Sequence, residues 1–319
     1  MITKEISKAK EVLINNQLVA IPTETVYGLA GNAYSEMAIK KIFELKKRPY
    51  FNPLIVHIKS ISSLFEIATD IPEAAYMLAE KFWPGPLTLV LKKRSHISDL
   101  ITAGKETVAV RVPNHPITLA LLNEIDFPLT APSANPFGSI SPTSAQHVFN
   151  YFEKELDVIL DGGECEKGLE STIIGFENNK PILYRHGSIA AEEIEQVIGS
   201  KIGMKTVDDQ APNAPGMLTR HYAPMTDTYL TDNITEFIKD FEGKKIGLLL
   251  FKDAVTDHTI IKQEVLSSSG DLHEAAKNLY AAMHRLDQDK LDVIIAEKFP
   301  NEGLGKTIND KLERATKKE

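Results

Sequence analysis

The chain has 319 residues, of which 43% are hydrophobic and 25% charged, with a formal net charge of -8 and one cysteine, Cys165. That length favours a large domain plus a small one, and the composition excludes a long disordered chain. The acidic balance excludes a global attraction to nucleic acid or an anionic membrane, so any such contact must be local; the lone thiol excludes an intramolecular disulfide and points to the cytoplasm; no apolar run reaches membrane-spanning length.

A helix is expected from the start to about Asn16; its Glu5 and Glu11 and its lack of a continuous apolar core argue against a secretory signal or transit peptide. A short strand over 18–21 is stopped by Pro22 and gives way to Pro22-Thr23-Glu24-Thr25-Val26-Tyr27-Gly28-Leu29, a loop crowded with hydroxyls and a carboxylate. Met37, Ile39, Ile42, Phe43 and Leu45 recur at helical spacing over 35–47, and Pro49 and Pro53 end that helix in a turn holding Lys46, Lys47 and Arg48. Adjacent cations repel unless solvent or an anion screens them, and the guanidinium fork suits phosphate or carboxylate oxygens. Cations complementing a helix C-terminus are the alternative, and the segment alone leaves both readings open.

Strands over 54–58, 87–91 and 107–112 alternate with helices over 62–68 and 72–82. A helix over 115–125, a strand over 128–131, a helix over 143–156, strands over 158–160, 171–176 and 182–185, and a helix over 190–198 follow. Because strands are joined now by turns and now by helices, the class is α/β with a mixed sheet. Residues 1–206 are expected to make up this first, larger domain. Residues 207–227 have no period and read as a linker, yet Arg220-His221-Tyr222 gives it a reason to reach back into the site. Residues 228–319, with strands over 245–251 and 291–296 and helices over 234–241, 272–288 and 305–317, make a small open α/β domain.

A second polar loop, Ala131-Pro132-Ser133-Ala134-Asn135-Pro136-Phe137-Gly138-Ser139-Ile140-Ser141-Pro142-Thr143, follows an apolar strand. Such loops bring hydroxyls and backbone N–H groups to phosphate oxygens, but Ser133 and Asn135 fit turn chemistry equally well, and Thr143 is expected to cap the next helix. The stretch 161–172 carries Gly162, Gly163 and Gly168, which permit close ligand approach or simply a mobile loop. Arg111 ends an apolar strand and so needs a partner anion, for which a carboxylate is the natural guess. His57 reads as a hydrogen-bonded structural histidine and Trp83 as packing. No Walker-type phosphate loop, dinucleotide fingerprint or serine elbow is present, and one cysteine with scattered histidines gives no protein-held metal site.

Taken in order, Pro22-Thr-Glu-Thr-Val-Tyr-Gly-Leu29, Lys46-Lys-Arg-Pro49 with Asn52-Pro-Leu54, Pro84-Gly-Pro-Leu-Thr88, Val110-Arg-Val-Pro113, Ala131-Pro-Ser-Ala-Asn135 and Gly168-Leu-Glu-Ser-Thr172 resemble the YrdC-like family. Pro215-Gly-Met217 and Arg220-His-Tyr-Ala-Pro224 before a small domain resemble its long, two-domain form, the threonylcarbamoyl-adenylate synthases. The resemblance implies a twisted, mixed, mostly open sheet with helices and a concave cationic cleft, plus a smaller Rossmann-like C-terminal domain. It implies formation of threonylcarbamoyl-AMP and pyrophosphate from L-threonine, bicarbonate or CO2, and ATP with Mg²⁺ held mainly by the phosphates. The product would serve N6-threonylcarbamoyladenosine formation at tRNA position 37 through downstream transferase machinery. By motif, Thr25, His57, Arg111, Ala131 and Ser171 would hold threonine; Lys46, Arg48, Asn52, Thr107, Ser133, Asn135, Ser141 and Arg185 would surround ATP; Tyr222 would close over the nucleotide. Lys46 and Arg48 would carry the catalytic charge. The chain departs from the family at Gly175, where an acidic residue is usual, and at His186, where proline is usual.

Overall fold

The structure, a computed structural model, describes residues 1–257 and 259–316. Among them, eleven strands form one sheet in the order Ile2–Thr3, Val158–Leu160, Val19–Ile21, Gly28–Asn32, Leu129–Thr130, Ile55–His57, Thr107–Arg111, Leu87–Lys92, Thr172–Glu177, Lys180–Arg185, Gly203–Met204. Parallel and antiparallel pairs alternate irregularly: Ile55–His57 runs parallel to Thr107–Arg111, which runs antiparallel to Leu87–Lys92. The sheet is therefore mixed, as the alternation of turns and helices in the sequence requires.

Local chemistry sets the elements that matter for function. The Glu36–Lys46 helix begins where the Ser35 hydroxyl accepts from the Ala38 N–H at 3.3 Å, and ends where Lys47 turns left-handed at φ 52°. That reversal lets Lys46 and Arg48, on either side of it, both turn inward. The Thr172–Glu177 and Lys180–Arg185 strands form a hairpin over Asn178-Asn179, with φ 50° and 62°, so their partners align Arg185 with Ile173 near Ser171.

Several elements differ from the sequence-based expectation. The chain opens with a strand, Ile2–Thr3, paired with Val158–Leu160, and the helix starts only at Ile6. Long-range pairing of the β-branched Ile2 and Thr3 outweighs the helical spacing. Gly28 and Leu29 already belong to the strand Gly28–Asn32. This strand is hidden in the sequence because Gly31 packs so tightly that an added Cβ would lie 3.1 Å from Leu18 and 3.3 Å from Ala38 and Ile42. The helix cap at 143–145 is Ser144, whose hydroxyl accepts from the His147 N–H, while Thr143 donates its own N–H to His147 Nδ1. The short helix Asp99–Thr102 and the strands Gly203–Met204, Thr228–Thr231 and Ile260–Val265 were likewise not evident from pattern.

The C-terminal unit holds a four-stranded parallel sheet, Thr228–Thr231, Val293–Glu297, Ile246–Leu250, Ile260–Val265, with the helices Leu272–Gln288 and Gly303–Ala315. The expected extension of the last helix to Lys317 falls outside the described residues. The two units share an apolar core in which Val26, Ile140, Leu169 and Tyr222 pack with Leu279, Tyr280 and Met283. Gly168 lies against the Leu272–Gln288 helix so closely that a Cβ there would come within 2.1 Å of the Lys277 carbonyl, and its φ of +68° also favours glycine. Among the described residues no helix is long and apolar enough to cross a membrane.

Candidate active site

Four loops and one segment between the two sheets converge on one cleft. Thr25, His57, Arg111, Ala131 and Ser171 line it together, as do Arg48, Ser133, Arg185 and Tyr222. Lys46, Asn52 and Ser141 bond to this wall from behind, through Ser133, Arg48 and Glu170, and Asn135 is tied in turn to Lys46. Thr107 is apart from the group: it starts the strand that Arg111 ends, opposite Lys92.

On one side sits a buried ion pair. Arg111 Nη2 approaches Glu24 Oε1 at 2.7 Å, both side chains almost fully buried. Its Nη1 donates to Thr25 Oγ1 at 2.9 Å and its Nε to the Gly85 carbonyl at 3.2 Å, while Glu24 Oε2 accepts from the Asn114 N–H at 3.0 Å. The partner anion that the sequence demanded of Arg111 is thus supplied by the chain itself, from a loop carboxylate that motif reading left unassigned. A guanidinium has five N–H groups, so donors remain for an incoming carboxylate. Ser171 completes this side, its hydroxyl bonded to Thr88 Oγ1 at 2.7 Å.

On the other side the charge is cationic. Lys46 Nζ donates to the carbonyls of Ser133, at 2.5 Å, and Asn135. Arg48 donates to Asn52 Oδ1 and the Pro53 carbonyl, both at 2.7 Å, and to the Asn52 carbonyl at 3.0 Å. Arg185 grips Ser171 through its carbonyl at 2.9 Å and its hydroxyl at 3.0 Å, and reaches the Pro215 carbonyl at 3.2 Å. Among the described residues, none of these three cations has a carboxylate within ion-pairing distance. Burial, then Arg48, holds Lys46 well below the usual lysine range, and burial, then Arg185, lowers Arg48 to about 9. An arriving polyanion would relieve both effects at once.

The segment 207–227 folds back over this cleft. His221 and Tyr222 line the cavity, and burial followed by the nearby cations Arg48 and Lys46 holds His221 neutral, well below its ordinary range. Tyr222 is 1% exposed, left-handed at φ 65°, and its hydroxyl has no partner. Gly216, at φ +84°, makes room: a Cβ there would lie 2.9 Å from the Tyr222 hydroxyl and 2.7 Å from Arg185. The polar triplet in the sequence was the signal for this return.

Glu170, Tyr280 and Lys311 are the residues that motif and period did not single out. Glu170 lines the cavity, accepting from Ser141 Oγ at 2.5 Å and from Tyr280 OH at 2.8 Å. Lys311 Nζ lies 4.9 Å above the Tyr222 ring. Only knowledge of how the helices dock would have brought Tyr280 and Lys311 to the site, whereas Glu170 sits inside the Gly168-Leu-Glu-Ser-Thr172 motif beside Ser171 without having been given a role.

His57 is buried with Nδ1 unpartnered; burial, then Arg111, lowers it to about 3. His147 and His284 stack across the two units with centroids 3.9 Å apart, lowered to about 3 by burial and His284, and to about 4 by burial, respectively. Each folded value lies below the ordinary 6.5, so the unfolded chain binds more protons in acid. Stability from these groups is complete above pH 6.5 and falls toward pH 4, with each histidine approaching a slope of ~1.4 kcal/mol per pH unit. The urea midpoint should be flat from pH 7 to 8 and decline steeply from pH 6.5 to 4.5; a flat profile through pH 5 would contradict the assigned burial.

An α/β sheet whose loops set a buried arginine beside unpaired cations defines an anion-handling active-site cleft, roofed by a returning segment. The family model described as Telomere recombination (Sua5/YciO/YrdC) matches residues 11–187, and the model described as Threonylcarbamoyl-AMP synthase, C-terminal domain, matches residues 189–316. The chain is 44% identical to the threonylcarbamoyl-AMP synthase of Pyrococcus abyssi over 94% of its own length and 90% of the relative's, and 41% identical to that of Bacillus subtilis over 98% and 92%. The structure of P. abyssi Sua5 complexed with L-threonine superposes with a TM-score of 0.91 at 43% identity, over 98% of this chain and 94% of that one. The chain belongs to the Sua5/YciO/YrdC family, in its two-domain threonylcarbamoyl-AMP synthase branch, and is a nucleotidyltransferase-type enzyme.

Proposed function

We propose that the chain joins L-threonine, bicarbonate or CO2, and ATP into threonylcarbamoyl-AMP with release of pyrophosphate. The observation that carries this is the division of the cavity: an arginine with its own counter-ion and spare donors on one side, and cations without carboxylate partners on the other. Thr25, Arg111 and Ser171 would bind the amino acid, with His57 and Ala131 shaping its pocket. Arg48 and Arg185 would face the phosphates and Lys46 would add its charge from behind the wall, with Ser133, Asn135, Asn52 and Ser141 fixing the loops that carry them and Tyr222 closing the roof. Threonine's neutral amine adds to CO2 and gives up one proton to solvent, leaving a carbamate; a carbamate oxygen then forms the new bond to the α-phosphorus while the bond to pyrophosphate breaks. No side-chain nucleophile is needed, so catalysis rests on positioning and on charge stabilisation.

The donor set suits a magnesium ion that travels with ATP. Among the described residues no cluster of three metal-ligating side chains exists, and the carboxylate lining the cavity, Glu170, has both oxygens engaged by hydroxyls. Bound to the phosphates, the ion would neutralise charge on the leaving pyrophosphate. The product would pass to a tRNA-modifying transferase.

The test is pyrophosphate release from ATP and Mg²⁺ with and without L-threonine and bicarbonate, with serine and other amines as controls. Release that requires both threonine and bicarbonate is the expected result. Release with a different amine would reassign the acceptor, and ATP binding without release would overturn the reading.

A further inference from the structure

We propose that Tyr280, from the C-terminal unit, is a positioning residue of the nucleotide site: its hydroxyl, with that of Ser141, holds the Glu170 carboxylate back from the phosphates. The inference deepens the synthase reading and rests on it for what occupies the cleft. Tyr280 lies in the Leu272–Gln288 helix with no exposed surface, and its hydroxyl donates to Glu170 Oε2 at 2.8 Å, across the junction of the two units. Ser141 Oγ takes the other oxygen at 2.5 Å. The Tyr280 ring also stacks on Tyr222 of the roof at 5.7 Å and 28°, while Lys311, from the last helix, covers Tyr222 and donates to the His186 carbonyl at 2.8 Å.

A carboxylate in the wall of a cleft that receives a polyanion is unfavourable unless its charge is turned away and its lone pairs are occupied. Two hydroxyl donors do this here, one from each unit. Remove the Tyr280 hydroxyl and Oε2 is left buried without a partner in a wall whose cation Arg185 grips the adjoining Ser171. Glu170 would then compete with phosphate for the cation. The shared apolar core around Leu169 and Tyr280 makes the contact part of a packed interface, so the active site is completed by the second unit.

The decisive comparison is Tyr280→Phe, which deletes one oxygen and keeps the ring. ATP affinity, read by calorimetry on the full chain with Mg²⁺, should weaken by about tenfold, as the freed carboxylate competes with phosphate for a cation on the scale of one lost hydrogen bond to a charged group. The KM for ATP should rise in parallel, with kcat and the KM for threonine little changed. Adding Glu170→Gln removes the freed charge and should restore most of the ATP affinity, a rescue that mere loss of packing would not show. ATP affinity within twofold of the parent, or a loss that Glu170→Gln leaves in place, would overturn the proposal. If the parent binds ATP yet releases no pyrophosphate, the synthase reading fails, while the affinity comparison still decides the role of Tyr280.

Discussion

Replacing Lys46 by alanine is expected to slow threonine- and bicarbonate-dependent pyrophosphate release by about 10²-fold or more, as removal of a transition-state charge contact does elsewhere. The ammonium is 1% exposed and tied to the carbonyls of Ser133 and Asn135, so it is both a charge and a strap across the loop that borders the phosphate side. Two readouts separate these roles. If charge dominates, the KM for ATP in the parent should rise with ionic strength more steeply than in the variant, because one screened attraction is gone. If the strap dominates, the urea midpoint should fall while the salt dependence stays. Arg48→Ala should produce a loss of similar size but a larger loss of stability, since three acceptors around Asn52 and Pro53 lose their donor. Unchanged turnover in either protein would remove these residues from the chemistry.

The class of fold was legible because turns and helices alternate between strands, and that alternation admits only a mixed sheet. Sheet order was not legible. The strand Ile2–Thr3 acquires its meaning only from a partner at Val158–Leu160, and Gly28–Asn32 carries too little side chain to announce itself. The candidate site was legible where motifs mark loops at strand ends: the five residues that motif assigned to the amino acid line one cleft together, and the basic turn does point Lys46 and Arg48 inward. Thr107, assigned to ATP by motif position, starts the strand that Arg111 ends and is not among the cleft's lining residues, so its assignment rests on the motif alone. Glu24 was visible as a carboxylate in a polar loop, with nothing in the loop to say that it faces a strand end 87 positions later. Tyr280 and Lys311 were illegible for a deeper reason. They lie on regular amphipathic helices, where a buried tyrosine or lysine looks like part of the stripe until another sheet is docked against it.

Arg111→Ala is expected to fail in two separable ways. Removing the guanidinium leaves Glu24, 3% exposed, with a single backbone N–H for a buried charge, and breaking such a pair from one side costs about 3–5 kcal/mol. The same change removes the partner proposed for the threonine carboxylate, so the amino acid should no longer saturate the enzyme at concentrations that saturate the parent. A paired replacement resolves the two effects. Glu24→Gln with Arg111→Met abolishes both charges at similar volume, so most of the lost stability should return, because neutralising both members of a buried pair is often nearly neutral. Threonine dependence should not return with it. A urea midpoint for Arg111→Ala equal to that of the parent would mean that Glu24 finds another partner, and an unchanged threonine KM would mean that the carboxylate binds elsewhere in the cavity. Recovery of both stability and threonine use in the double variant would show that Arg111 serves only to neutralise Glu24, leaving Thr25 and Ser171 to hold the substrate without it.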